Sequence, residues 1–190
     1  MATAPLLRFT EAQYLRYERE FQQKHEFVHG NILAMAGAGT RHNIIAANLL
    51  SALVVGLRGK RCRAVGSDQR VLVQPGALYF YPDVTVLCPP VEHLDESRDT
   101  VLNPHLIAEV LSSATRRHDV DLKLPAYREH PAIQEILLIE PDVLWVQQWF
   151  RSASGEWQMR TISTPASMVT LNSLGVEVPI EEIYRNAADV

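Results

Sequence analysis

The sequence predicts a single α/β domain spanning residues 1–190. Apolar residues recur at helical spacing between Arg41 and Leu57, at Ile45, Leu49, Leu53, Val54 and Leu57. Short alternating or wholly apolar runs at His25 to Ala36, Asp83 to Leu87, Leu106 to Leu111 and Gln134 to Ile139 have the pattern of strands. Helical and strand patterns interleave with no repeat, linker or low-complexity stretch to divide them.

Taken in order, Thr10 followed by Gln13 fits a capping box, and Glu11 to Phe21 reads as the first helix. His25 to Ala36 reads as a β-hairpin turning at Gly30-Asn31. Gly37, Gly39 and Thr40 form a loop and cap before the helix from Arg41 to Leu57, which Gly59 closes. Strands follow at Cys62 to Val65 and Gln69 to Val73, with a turn at Pro75-Gly76. The strand from Asp83 to Leu87 leads into a polar loop, Pro89 to Leu102, and then the strand from Leu106 to Leu111. A helix is expected around Arg117 to His130, kinked or restarted at Pro125, because proline lacks an N–H and clashes with the preceding turn. After the buried strand from Gln134 to Ile139, Val143 to Phe150 and Glu156 to Ile162 form a hairpin about Ser154-Gly155. A short strand near Val176 and a helical turn at Ile180 to Tyr184 end the chain.

Composition narrows the function classes. Hydrophobic residues make up 47% of the 190 and charged residues 21%, so a packed core is expected rather than disorder. The start, MATAPLLRFTEAQ, lacks the basic-then-apolar pattern of a signal peptide, and no apolar run could span a bilayer. Cys62 and Cys88 lie far apart in no C-x-x-C pair and read as buried thiols of a reducing compartment. The expectation is a cytoplasmic protein with no membrane association. A net charge of −4 argues against tight, non-specific binding of nucleic acid, although Arg58, Lys60, Arg61 and Arg63, and Arg116 with Arg117, form local basic groups.

Charges in strands then mark a candidate site. In the strand from Leu106 to Leu111, alternation puts Ile107, Glu109 and Leu111 on one face, so Glu109 is a carboxylate among apolar residues. A buried carboxylate needs a cation or a proton. Asp83 opens the run Val84-Thr85-Val86-Leu87. Two carboxylates on neighbouring strands can share a hard divalent cation, which can activate water and offset phosphoryl charge. Asp119, Lys123 and Tyr127 stand at i, i+4 and i+8, on one helical face. A lysine there would stabilise transition-state charge or orient water; the same spacing also suits a surface ion pair.

Several short pieces then occur together in one order: Glu11-Ala12-Gln13-Tyr14-Leu15, His25-Glu26-Phe27-Val28-His29-Gly30, Arg41-His42, Ser67-Asp68-Gln69-Arg70-Val71 and Tyr81-Pro82-Asp83-Val84. Glu109-Val110-Leu111-Ser112, Asp119 with Lys123 and Tyr127, Glu135 to Ile139, and Leu174-Gly175-Val176 continue the series. This set resembles the Uma-two family of restriction endonucleases, within the PD-(D/E)XK nuclease superfamily. The resemblance implies a restriction-endonuclease-like fold, with a central mixed β-sheet flanked by helices. It implies Asp83 and Glu109 as ligands of Mg²⁺ or Mn²⁺, Lys123 as the third catalytic residue, and DNA as substrate. The superfamily's lysine stands two residues after the glutamate, where this chain has Leu111; Lys123 looks like its migrated replacement. Glu26, His42, Asp68, Asp119 and Tyr127 are given supporting roles. A homodimer is expected, with the hairpin from Val143 to Ile162 as a possible interface.

Two other readings compete. A member that keeps the fold without catalysis would suit the acidic balance. His25-Glu26-Phe27-Val28-His29 also spells H-E-x-x-H, the zinc-protease motif, which requires a helix. No Asp or Glu follows between Glu26 and Asp68 to complete such a site, and Ile32 and Met35 occupy the places of the extended motif's glycine and histidine.

Overall fold

The computed structural model describes residues 8–35 and 37–188. The reading of the first seven residues, and the Ala36 end of the hairpin, lie outside it.

The elements run α1 (Glu11–Glu20), β1 (His25–Val28), β2 (Asn31–Ala34), α2 (Thr40–Gly56), β3 (Arg63–Gly66), β4 (Arg70–Gln74), β5 (Leu78–Phe80), β6 (Val84–Leu87), β7 (Thr100–Val101) and β8 (Pro104–Val110). There follow α3 (Arg116–His118), a π turn (Asp119–Lys123), α4 (Leu124–Glu129), β9 (Glu135–Ile139), β10 (Val146–Arg151), β11 (Trp157–Ile162), β12 (Met168–Leu171), β13 (Val176–Pro179) and α5 (Ile180–Tyr184). Six strands form a mixed sheet in the order β11-β10-β9-β8-β6-β3, in which β8 and β9 are parallel. Five form a second sheet, β2-β1-β5-β4-β7, and β12 pairs with β13. A mixed sheet flanked by helices is therefore the observed class.

Local chemistry accounts for these elements. The capping box at Thr10 is complete: Gln13 N–H donates to Thr10 Oγ1 at 3.3 Å, and Thr10 N–H donates to Gln13 Oε1 at 2.8 Å. The β1–β2 hairpin turns on His29 and Gly30, one residue earlier than the sequence reading placed it. Both have positive φ, 47° and 89°, the requirement of a two-residue turn whose twist matches the strands.

α2 buries Ile45, Leu49 and Leu53, and its C-cap Leu57, against the six-stranded sheet, while Val54 stays exposed. Each buried side chain stabilises by about 1.5–3 kcal/mol, and Leu49→Ala would cost about 2–5 kcal/mol. Gly56 permits the close approach of β13: a Cβ there would meet Val176 Cγ1 at 2.6 Å. The opposite face of the sheet packs Ile107, Leu111, Ile136 and Leu138 against Val71, Phe80 and Tyr127. The six-stranded sheet thus has α2 and α5 on one side and the second sheet with α4 on the other.

Pro125 restarts the helix by way of the π turn. Leu124 N–H reaches back five residues to Asp119 O, so the wider turn accommodates the ring and α4 begins with Pro125 in its first turn. Strand β5 was not expected, being three wholly buried residues with no alternation to reveal it. Neither was β7 within the expected Pro89 to Leu102 loop, nor β12.

One expectation is overturned. Cys62 and Cys88 are joined as a disulfide, not buried as free thiols. Antiparallel pairing of Arg63 with Leu87 puts the two cysteines opposite one another in the next register position, with Cα atoms 4.2 Å apart. Sequence distance had hidden a cross-strand pair, and the cysteines give no support to a reducing compartment. No helix among the described residues is long and apolar enough to cross a membrane.

Candidate active site

The two sheets meet around a cleft of about 360 Å³, and the strands place carboxylates in it. Val84 pairs with Ala108 and Thr85 with Ile107, so the same register sets Asp83 beside Glu109. The contact is fixed further by Asp83 Oδ2, which accepts a hydrogen bond from Val110 N–H at 2.8 Å. His42, from the first turn of α2, brings Nε2 to 3.2 Å from the same oxygen. Burial alone would lower the His42 pKa; the bond to Asp83 outweighs it and holds it above its ordinary value.

Glu109 is almost wholly buried among Ile107, Leu111 and Tyr127. Tyr127 donates its hydroxyl to Glu109 Oε1 at 2.7 Å, and Lys123 Nζ lies 3.3 Å from that oxygen. Burial, then the charges of Asp83 and Asp119, push the Glu109 carboxyl up to about 8 against the pull of Lys123. Lys123 is buried too, with Nζ 2.8 Å from Glu26 Oε1 and 3.1 Å from Asp119 Oδ1. Burial disfavours its charge, but the carboxylates, Glu109 foremost, outweigh this and raise its pKa. Of the i, i+4 and i+8 positions, Lys123 and Tyr127 thus converge on Glu109 while Asp119 pairs with Lys123, with the π turn and Pro125 between them.

Glu26 comes from the other sheet. On β1 it holds Lys123 and also binds His118 Nε2 at 2.6 Å. Burial would raise its pKa; His118 and then Lys123 overcome this and lower it. Glu26 is therefore integral to the cluster. H-E-x-x-H lies in a strand and its turn, with His25 Nδ1 3.0 Å from Glu18 and His29 in the hairpin turn, so its histidines do not share a helical face and the zinc-protease reading is excluded. Asp68 lies elsewhere, solvent-exposed between β3 and β4 and 2.9 Å from Lys24. His118 was not foreseen: it stands one residue before Asp119, off the face that helical spacing selects, and Glu26 becomes its partner only through the tertiary fold.

The donor set fits a hard cation. Asp83 and Glu109 line the cleft together with Glu26, Asp119, His42 and His118; Glu26, Glu109 and Asp119 face Lys123, while Asp83 is held by Val110 N–H and His42. The hydrogen bonds of Glu109 go to Oε1 and those of Asp83 to Oδ2, which leaves one oxygen of each without a hydrogen-bond partner among the described residues. No group of three or more His, Cys, Asp or Glu among the described residues is arranged to hold a metal ion, so a cation there would rest on the two carboxylates Asp83 and Glu109 and take its remaining ligands from water.

Comparison with known proteins agrees with this architecture. Residues 11–181 match the Uma2 family, described as "Putative restriction endonuclease". The uncharacterized protein sll1609 of Synechocystis sp. is 35% identical over 157 residues, covering 83% of this chain and 88% of that protein. A second Synechocystis protein, the uncharacterized slr1290, is 28% identical over 98% of this chain and 96% of its own length. Among solved structures, a DUF820 protein from Anabaena variabilis, described as "a putative nuclease", superposes with a TM-score of 0.72 at 20% identity, covering 93% of this chain and 97% of that one, which shows a shared fold. The chain belongs to the Uma2 family of restriction-endonuclease-like proteins.

Proposed function

We propose that this chain is a metal-dependent endonuclease that hydrolyses phosphodiester bonds in DNA, within one domain spanning residues 1–190. The observation that carries the reading is the pairing of Asp83 with Glu109 across β6 and β8, each with one oxygen left for a ligand. Asp83 and Glu109 would hold Mg²⁺ or Mn²⁺. When bound, such an ion supplies Lewis acidity toward a phosphoryl oxygen and toward water.

The chain's own groups do the rest. Val110 N–H and His42 fix the Asp83 carboxylate, and Tyr127 and Lys123 fix that of Glu109. The buried Lys123 ammonium lines the cleft, where it offsets charge developing on the phosphorus oxygens and helps orient water. Water attacks phosphorus in line, and the 3′ oxygen leaves. A homodimer belongs to the same proposal: β11 has one edge unpaired among the described residues, where a second copy could pair.

The net charge of −4 favours a second reading, a family member that keeps the fold and binds a partner without cleaving nucleic acid. The discriminating experiment incubates the protein with supercoiled, linear and single-stranded DNA in Mg²⁺ or Mn²⁺, alongside Asp83→Ala, Glu109→Ala and Lys123→Ala. Cleavage lost in the carboxylate variants supports the nuclease. Absence of cleavage in every condition supports the binding protein.

A further inference from the structure

Hydrolysis needs a place for the proton of the attacking water, and most groups in the cleft have none. Lys123 directs its ammonium at three carboxylates, at 2.8, 3.1 and 3.3 Å, and an ammonium has no lone pair. His42 uses Nε2 toward Asp83, and its Nδ1 is buried without a partner, closed off from solvent. Glu26 and Asp119 are themselves buried and tied to Lys123.

His118 differs from all of these. It lines the cleft with 27% of its side chain exposed. Its Nε2 is held by Glu26 at 2.6 Å, and a carboxylate at that distance favours the tautomer with the proton on Nε2. That leaves Nδ1 with a lone pair, and among the described residues no hydrogen bond occupies it. Phe80 packs edge-on against the ring, with centroids 6.0 Å apart at 85°, and the same Phe80 stacks edge-on with Tyr127 and lies beneath Lys123. The imidazole is therefore oriented by a carboxylate and braced by an aromatic wall shared with the rest of the cluster. This arrangement of a base held by a second group is the one that general-base chemistry requires.

We infer that His118, oriented by Glu26, is the proton acceptor of the hydrolysis, an assignment that rests on the nuclease reading above. The oxygen of water bonds to phosphorus as its proton passes to His118 Nδ1. The bond from phosphorus to the 3′ oxygen breaks, and that oxygen takes a proton from solvent. The imidazolium formed is balanced by the Glu26 carboxylate until it returns its proton to solvent. Glu26 acts as a positioning residue, and Lys123 is left to offset charge.

The test compares wild type, His118→Ala and Glu26→Gln in the plasmid-cleavage assay, with and without added imidazole, while calorimetry follows Mg²⁺ affinity and circular dichroism follows folding. His118→Ala is expected to lose roughly 100-fold or more in turnover. Imidazole should restore activity to it in proportion to concentration, while Mg²⁺ affinity stays at the wild-type value. In the wild type, ¹⁵N NMR of the histidines should show His118 protonated on Nε2, and Glu26→Gln should disturb that tautomer. Undiminished cleavage by His118→Ala, or a loss that imidazole does not repair and weaker Mg²⁺ binding accompanies, would overturn this assignment and leave the nuclease standing. Wild-type protein inert on every form of DNA would remove the nuclease reading and this role with it.

Discussion

Asp83 accepts its hydrogen bond from Val110, the residue that follows Glu109, at 2.8 Å. One carboxylate is thereby fixed against the strand that carries the other. Asp83→Asn keeps a similar shape but gives up the charge, so the fold should persist while metal-dependent cleavage falls by roughly 100-fold or more, as on loss of a preorganised electrostatic group. A plasmid-nicking assay with matched thermal melts measures both.

His42 acts on the site through Asp83. Partners that orient a ligand typically change metal affinity by roughly 10–100-fold when removed. His42→Ala should therefore bind Mg²⁺ about 10–100-fold more weakly, with little change in secondary structure, as calorimetry and circular dichroism would show. Unchanged affinity would mean that this contact does not orient a ligand.

Lys123 stands against Glu26, Glu109 and Asp119 in a buried setting. Removing one partner of a buried charge group leaves the others uncompensated, at a cost of about 3–5 kcal/mol. Lys123→Met should lower stability by that amount in urea unfolding, and adding Glu109→Gln should recover part of it. A single variant as stable as wild type would show that the lysine does not neutralise the cluster.

Much of this site was legible in the sequence because strand alternation and helical spacing are local. Glu109 among Ile107 and Leu111, and Asp119 with Lys123 and Tyr127, follow from those two periods. Asp83 needed its pairing partner, which resemblance supplied. Glu26 and His118 meet across 92 positions, and no local period could bring them together. The same holds for Cys62 and Cys88, which β3–β6 pairing alone joins. The short buried strand β5 was missed because a fully buried strand shows no alternation.

The disulfide closes a loop with a sequence separation of 26. On the chain-entropy account such a link contributes about 3 kcal/mol. Replacing both cysteines by serine should lower stability by that order, and thiol labelling under native, non-reducing conditions should find no free cysteine. Two labelled thiols would contradict the bridge.

His105 and His130 are held below the ordinary histidine pKa by burial. The unfolded chain then takes up protons first, so stability declines as pH falls below about 6.5. Glu109 and Glu135, raised by burial, oppose this: the folded state binds their protons first, so their contribution grows as pH falls toward the ordinary carboxyl range. The histidine contribution is isolated by difference. His130→Gln should lose less stability than wild type between pH 7 and 5, measured by urea unfolding at each pH.

Titration of Mg²⁺ or Mn²⁺ into the purified protein by calorimetry measures the central pairing without requiring the right DNA. The wild type should bind one ion per chain, and Asp83→Asn and Glu109→Gln should each abolish that binding while remaining folded. Folded wild type that takes up no divalent ion, or carboxylate variants that bind as the wild type does, would contradict the account.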